Sequence, residues 1–270
     1  MARSFNISTN PFSRTTINRN VFLQLRCLPI SGVEIYSNKV HFDPSNHRQR
    51  DDVVQWCREA GWNIVSLHLS ECPFDAEQVS ARREAVARAV EQAQAAVQMG
   101  CSYVVCHPGS DVRQDREEQL ELATESFSEL VRNIIGLPLR LAIENTHPHH
   151  IGGVTADMQR LLRDMPAEKV GWCFDTGHAH MGREGCEGFL EQFRAYLVAV
   201  HLHDNPGPER YEDSHLPPGM GTIDWDILMP KLLSVFDGPI ILESSHWNMG
   251  MDWREFTKRV CEFIARWKKS

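Results

Sequence analysis

The sequence predicts an α/β fold, a single (β/α)8 barrel. Three observations carry that expectation. Short β-rich runs alternate with helical stretches from end to end, eight of each. The later strands split into a bulky apolar phase and a small-then-polar phase, as strands between helices and a barrel interior require. The length, 270 residues, suits one barrel with little left over. The whole of 1–270 reads as one domain, with no linker, low-complexity tract or short repeat. A doubly wound open sheet is the alternative. No G-x-G-x-x-G or G-x-x-x-x-G-K-[ST] follows any strand, so a nucleotide site has no support.

The predicted strands cover residues 5–9, 32–36, 63–68, 102–107, 139–144, 169–175, 197–203 and 239–244. Helical patterns lie between them. The clearest is 76–99, rich in Ala, Glu, Gln and Arg and closed by Gly100 as a C-cap. Residues 116–135 form another, ending at Gly136. Residues 224–234 follow Thr222, read as an N-cap. The chain closes on an amphipathic helix over 253–267.

Composition narrows the function classes. Lys plus Arg number 28 and Asp plus Glu 36, a net charge of −8. With no basic run, this argues against a nonspecific phosphate-binding surface, although not against a local basic groove. Hydrophobic residues at 42% and charged residues at 24% fit a soluble globular chain rather than a disordered one. No apolar run approaches the ~20 residues of a membrane span, so no membrane partner is expected. Residues 1–8 lack the apolar stretch of a signal peptide. Eight cysteines without a C-x-x-C pair read as reduced thiols, which predicts a cytoplasmic protein. The composition is compatible with a homo-oligomer. Thirteen histidines are present, eight of them between His147 and His215.

Strand phase turns some of these into site candidates. Leu139, Leu141 and Ile143 oppose Arg140, Ala142 and Glu144. Val170, Trp172 and Phe174 oppose Gly171, Cys173 and Asp175. Val198, Val200 and Leu202 oppose Ala199, His201 and His203. Ile240 and Leu242 oppose Ile241 and Glu243. Glu144, Asp175, His201 and Glu243 therefore fall on the inner phase at the C-terminal ends of four consecutive strands, where barrels build active sites. Neighbouring strands lie only ~4.8 Å apart. Three carboxylates gathered there raise one another's pKa unless a cation compensates them. Carboxylate and imidazole ligands suit Mn, Mg, Zn, Co or Fe(II). Taken singly, each acid reads equally well as a salt bridge at a strand end.

Further candidates surround the four. His68 and His107 end strands three and four, and His178 follows Asp175. Asp213 and His215 lie in the loop after strand seven. These five are additional metal-binding or substrate-binding candidates, although a lone histidine is usually an ordinary hydrogen-bonded residue. His180 and His203 fit either role. His147, His149 and His150 sit in a polar loop, predicted to be solvated and placed to form part of a lid.

Six fragments then become recognisable in order: His107-Pro108-Gly109, Ile143-Glu144-Asn145-Thr146, Phe174-Asp175-Thr176-Gly177-His178, Val200-His201-Leu202-His203-Asp204, residues 217–225 and Ile241-Leu242-Glu243. With them the sequence resembles the xylose isomerase-like TIM barrel superfamily. That group holds sugar phosphate isomerases and epimerases of carbohydrate metabolism together with endonuclease IV-type abasic-site nucleases (AP endonuclease family 2). In the isomerase branch, the resemblance implies one divalent metal ion (Mn, Zn, Mg or Co) on Glu144, Asp175, His201 and Glu243. It implies Glu144 and Glu243 as acid/base groups on opposite faces of a sugar or keto-polyol, working through an enediolate. His178 and His215 would bind substrate hydroxyls or order the ligands. In the nuclease branch it implies up to three metals. Each position needed there is filled: His68, His107, Glu144, Asp175, His178, His201, Asp213, His215 and Glu243. Two features depart from that branch. The first strand leads into Thr9-Asn10-Pro11-Phe12 rather than a glycine-rich loop, and Leu69-Ser70-Glu71 after His68 offers no apolar wedge for opening a duplex. The segment 217–225 also reads more like the small-molecule enzymes. The expectation is a metal-dependent isomerase or epimerase. Abasic DNA is the partner only in the alternative, a multinuclear phosphodiesterase.

Overall fold

The computed structural model describes residues 3–70, 72–113, 115–245 and 250–268. Glu71 and the two residues at each end of 1–270 lie outside them. The strands are β1 (Phe5–Ser8), β2 (Gly32–Tyr36), β3 (Asn63–His68), β4 (Tyr103–Cys106), β5 (Arg140–Glu144), β6 (Val170–Asp175), β7 (Leu197–Leu202) and β8 (Ile240–Leu242). They close into a parallel barrel in sequence order, with β8 pairing back onto β1. Around them run α1 (Arg19–Leu25), α2 (His47–Ala60), α3 (Val79–Gln98), α4 (Arg116–Ile134), α5 (Thr155–Arg163), α6 (Thr176–His180), α7 (Gly185–Phe193), α8 (Trp225–Val235) and α9 (Trp253–Trp267). No helix of the described residues is long and apolar enough to cross a membrane.

Local sequence accounts for these elements. In α9, Phe256, Val260, Phe263, Ile264 and Trp267 recur at helical spacing and are buried. The Asp252 side chain starts the helix by accepting from the Glu255 N–H at 2.8 Å. Asp115 caps α4 in the same way, with Glu117 and Glu118 in its first turn, where they complement the helix dipole. Gly100, at φ +83°, takes the left-handed turn that ends the α3 segment. Two details of the helices differ from expectation. The predicted helix 76–99 starts only at Val79, because Ala76 closes a turn onto Pro73 and the Arg82 guanidinium takes the Ala76 and Glu77 carbonyls. Asp224, not Thr222, caps α8; the Thr222 hydroxyl is held by His180 and the Asn205 carbonyl instead.

The core has the two faces that strand phase predicts. Leu141, Ile143, Trp172, Phe174, Val200, Leu202, Ile240 and Leu242 join the apolar layer beneath the helices. Val105, Ala142, Cys173 and Ala199 fill the barrel interior. Val198 is the exception. It was expected on the outer phase but packs with the interior group. The β6–β7 register slips there, so that Trp172 pairs with Leu197 and Cys173 with Ala199. Gly171 makes room for it: a Cβ there would lie 2.3 Å from Val198 Cγ1.

Candidate metal centre

The small side chains of the interior layer leave space above them, and polar groups fill it. Glu144 ends β5 and Asp175 ends β6, while His201 lies within β7 and Glu243 directly follows β8. Each is at most 3% exposed. Each offers one ligand atom, and the four atoms lie within 4.8 Å of one another. Asn145 fixes the β5–β6 edge. Its carbonyl oxygen accepts from the Asp175 N–H and from Trp172 Nε1, and its amide donates to the Asp175 carbonyl.

Two further groups adjoin this quartet. On one side, His68 Nε2 and His107 Nε2 lie 3.0 and 3.5 Å from Glu144 Oε2. On the other, His178 Nε2 and His215 Nε2 lie 3.4 and 3.3 Å from Asp213 Oδ2. His203 completes that third group, 2.9 Å from Asp175 Oδ1 and stacked on the His215 ring at 3.9 Å. The quartet and the five additional candidates thus fall in three adjoining groups, joined by His203, while His180 stands apart with Nε2 on the Thr222 hydroxyl. Glu144 faces two of them, with Oε2 toward His68 and His107 and Oε1 toward His201 and His178.

The donor set fits a cation. His68, His178 and His215 each spend Nδ1 on a backbone carbonyl, those of Leu69, Asn145 and Glu243 at 3.1, 3.0 and 2.8 Å. Their Nε2 atoms are thereby turned toward carboxylates, the orientation that outer partners impose on metal-ligating histidines. His201 Nδ1 lies 3.0 Å from Glu243 Oε2 and 3.4 Å from Glu144 Oε1 but is not aligned for a hydrogen bond to either. Among the described residues, Glu144 Oε1 and Asp175 Oδ2 are likewise buried without a hydrogen-bond partner. Buried polar atoms left in this way are costly unless something charged completes them.

Electrostatics without a cation point the same way. Burial opposes charge on His68, but the Glu144 carboxylate outweighs it and raises the imidazole to about 9. Burial is overcome likewise at His215, which Asp213 raises to about 10. Burial would push Glu243 up, yet His201 beside it brings it down to about 2. Glu144, despite its burial, is held well below the usual range by His201 and His107. Protons on histidines thus balance carboxylates that a metal ion would otherwise neutralise.

The family model described as the xylose isomerase-like TIM barrel matches residues 24–267. The chain belongs to this family. A protein named Probable endonuclease 4 from Methanosphaera stadtmanae is 29% identical over 45% of this chain and 48% of its own length. The chain spans about half the length of the curated relatives it matches. Among solved structures, a D-tagatose 3-epimerase-like protein superposes with a TM-score of 0.80 at 20% identity, covering 97% of this chain and 98% of its own. The IolI protein with a bound zinc atom gives 0.80 at 16%, covering 98% and 96%. At these identities the structures share the fold.

Within that fold, this chain covers its barrel mouth in a particular way. The β5–α5 loop carries His147, His149 and His150, expected to be solvated. Only His149 is exposed; His147 and His150 are half-buried. Tyr211, from the β7–α8 loop, covers His147, while His150 packs on the His147 ring and pairs with Asp111 at 2.8 Å. The Tyr211 hydroxyl accepts from the His149 N–H at 2.9 Å and meets His147 Nδ1 at 3.2 Å. Burial and the neighbouring His150 push His147 down to about 4. A cavity of ≈ 420 Å³ is lined by Tyr36, His68, Ser70, Arg88, His107 and Ser110. One buried acid was missed from the sequence. Glu34, on the inner face of β2, is 0% exposed and accepts from His201 Nε2 at 3.1 Å. An acid amid the apolar residues of Gly-Val-Glu-Ile-Tyr was the available signal.

Proposed function

We propose that this protein is a divalent-metal-dependent isomerase or epimerase acting on a sugar or keto-polyol. The observation that carries the reading is the quartet Glu144, Asp175, His201 and Glu243, with its ligand atoms within 4.8 Å of one another at the barrel mouth. Those four residues would hold the metal. When bound, a divalent cation there supplies the positive charge that lowers the cost of an enediolate. Glu144 and Glu243, on β5 and after β8, are the acid/base pair: one takes the proton from the carbon beside the carbonyl and the other returns one. The Asn10 amide, 3.3 Å from Glu243 Oε1, holds that carboxylate in place. The cavity of ≈ 420 Å³ beside His68 and His107 suits a small molecule. The fold shared with a D-tagatose 3-epimerase-like protein agrees with this substrate class. We read 1–270 as one domain of a cytoplasmic protein, its eight cysteines all free.

A specific observation favours a second reading. Glu144 is shared between two ligand groups and a third adjoins them, so the same residues suit a multinuclear phosphodiesterase acting on abasic DNA. The curated relative's endonuclease name points the same way. One experiment separates the two. The metal-loaded protein is incubated in deuterated water with a panel of ketoses and inososes, and its metal content is measured. The first reading expects deuterium at the carbon beside the carbonyl and one metal per chain. Three metals per chain, no exchange and nicking of an abasic duplex would overturn it in favour of the second.

A further inference from the structure

Four histidines of the centre have one ring nitrogen fixed by an atom that is not itself a candidate ligand. For His68, His178 and His215 that partner is a backbone carbonyl, on Nδ1. His201 differs in both respects. Its fixed nitrogen is Nε2, and its partner is the carboxylate of Glu34, reaching from β2 on another part of the barrel wall at 3.1 Å. Ser66 Oγ donates to the same Glu34 oxygen at 2.7 Å and sets its direction. Glu34, Ser66 and His201 are all 0% exposed. Among the described residues the ion-pair partner of Glu34 is His201, and its second oxygen has no hydrogen bond.

Burying a carboxylate with one oxygen unsatisfied is expensive. A neutral side chain could fill the same space at lower desolvation cost, so a packing role does not explain the acid. Its position does. With Nε2–H committed to Glu34, the Nδ1 lone pair of His201 faces Glu144, Asp175 and Glu243. A carboxylate partner also makes the imidazole a stronger donor through its other nitrogen.

We infer that Glu34 is a positioning residue for the metal centre, fixing the tautomer and direction of His201 so that Nδ1 is presented as a ligand. This rests on the reading of the quartet as a cation site. Because Glu34 acts through His201, its loss should register as metal affinity and not only as stability.

The test is Zn2+ or Mn2+ affinity by chelator competition, on wild-type protein and on folded Glu34→Leu, Glu34→Gln and Ser66→Ala variants. Glu34→Leu is expected to weaken binding by about 10- to 100-fold. Glu34→Gln, which keeps an acceptor oxygen, and Ser66→Ala, which only loosens Glu34, should lose several-fold less. In a His201→Ala background, Glu34→Leu should cause no further loss, since the two residues act as one unit. Wild-type affinity in Glu34→Leu overturns the inference, as does an equal loss with His201 absent. If Glu34→Leu does not fold, Glu34→Gln decides: weakened binding supports the inference and unchanged binding overturns it. A wild-type protein that binds neither metal overturns the reading of the quartet itself, and the inference with it. Wild-type binding together with unaltered variants overturns the inference alone.

Discussion

The two halves of the barrel mouth are built differently. From β5 to β8, each strand delivers one side chain of the quartet, and the four ligand atoms converge within 4.8 Å. From β1 to β4, the contributions are staggered in depth. Glu34 lies beneath the quartet, His68 lies beside it, and the His107 side chain, 43% exposed, forms a rim. In the proposed reading, one half would supply the reacting charge, and the other would orient it and shape the entrance. A closed barrel lets these tasks divide because parallel strands end at one rim while interior layers stay packed below it.

The strongest way to break that division is to compare residues from each task. Glu144→Gln or Glu243→Gln should lower the rate of substrate proton exchange by about 10²- to 10⁴-fold, with the folded CD spectrum retained. His107→Ala should cost ~10-fold or less, mainly through KM, as expected of a group that binds substrate without transferring its proton. If His107→Ala is as damaging as Glu144→Gln, the halves are not distinct and the multinuclear reading gains.

Metal removal sharpens the comparison next. At a metal concentration of about 100 times Kd, binding stabilises the folded state by about 2.7 kcal/mol. Chelation should therefore lower Tm, and amide exchange should rise first at the ends of β5 to β8. Loading should also release protons at neutral pH, because metal-free His201, which its acidic neighbours hold well above the usual imidazole range despite burial, must give up its proton to bind. A pH-indicator titration that detects no release would contradict this.

The smallest effect concerns the first half alone. His41, 0% exposed in the β2–α2 loop, is held neutral: burial lowers its pKa more than its hydrogen bond to the Thr15 carbonyl raises it. The unfolded chain therefore takes up the proton first. The stability from neutral His41 is present above ~6.5 and declines as pH falls from there toward the folded value. Tm measured from about pH 7 down to 5 should fall more steeply in wild type than in His41→Asn, with or without metal. Equal slopes would show that His41 is not the group responsible.

The same division explains what could be read from sequence. In β5 to β7 a small Ala142, Cys173 or Ala199 precedes Glu144, Asp175 or His201 on the inner phase, and in β8 Ile241 precedes Glu243, so alternation points each of them at the mouth. Glu34 stands mid-strand, and no local pattern says which residue across the barrel receives it. Val198 was misread because a register slip is a property of two paired strands, not of one. The local sequence predicts solvated His147 and His150, because Tyr211, which covers His147, and Asp111, which pairs with His150, lie about sixty and forty positions away in the chain. The histidines of the third group were legible as candidates but not as a group, since His178, His203, Asp213 and His215 come from three chain segments.

The two oxygens of Glu144 face different ligand groups. Any ion held on one side draws on charge that the other side needs, and two cations sharing that carboxylate repel. With a cation on each side, the two occupancies would be linked, each raising the other's dissociation constant by the same factor. The number of ions such a centre carries would then depend on how much metal surrounds it.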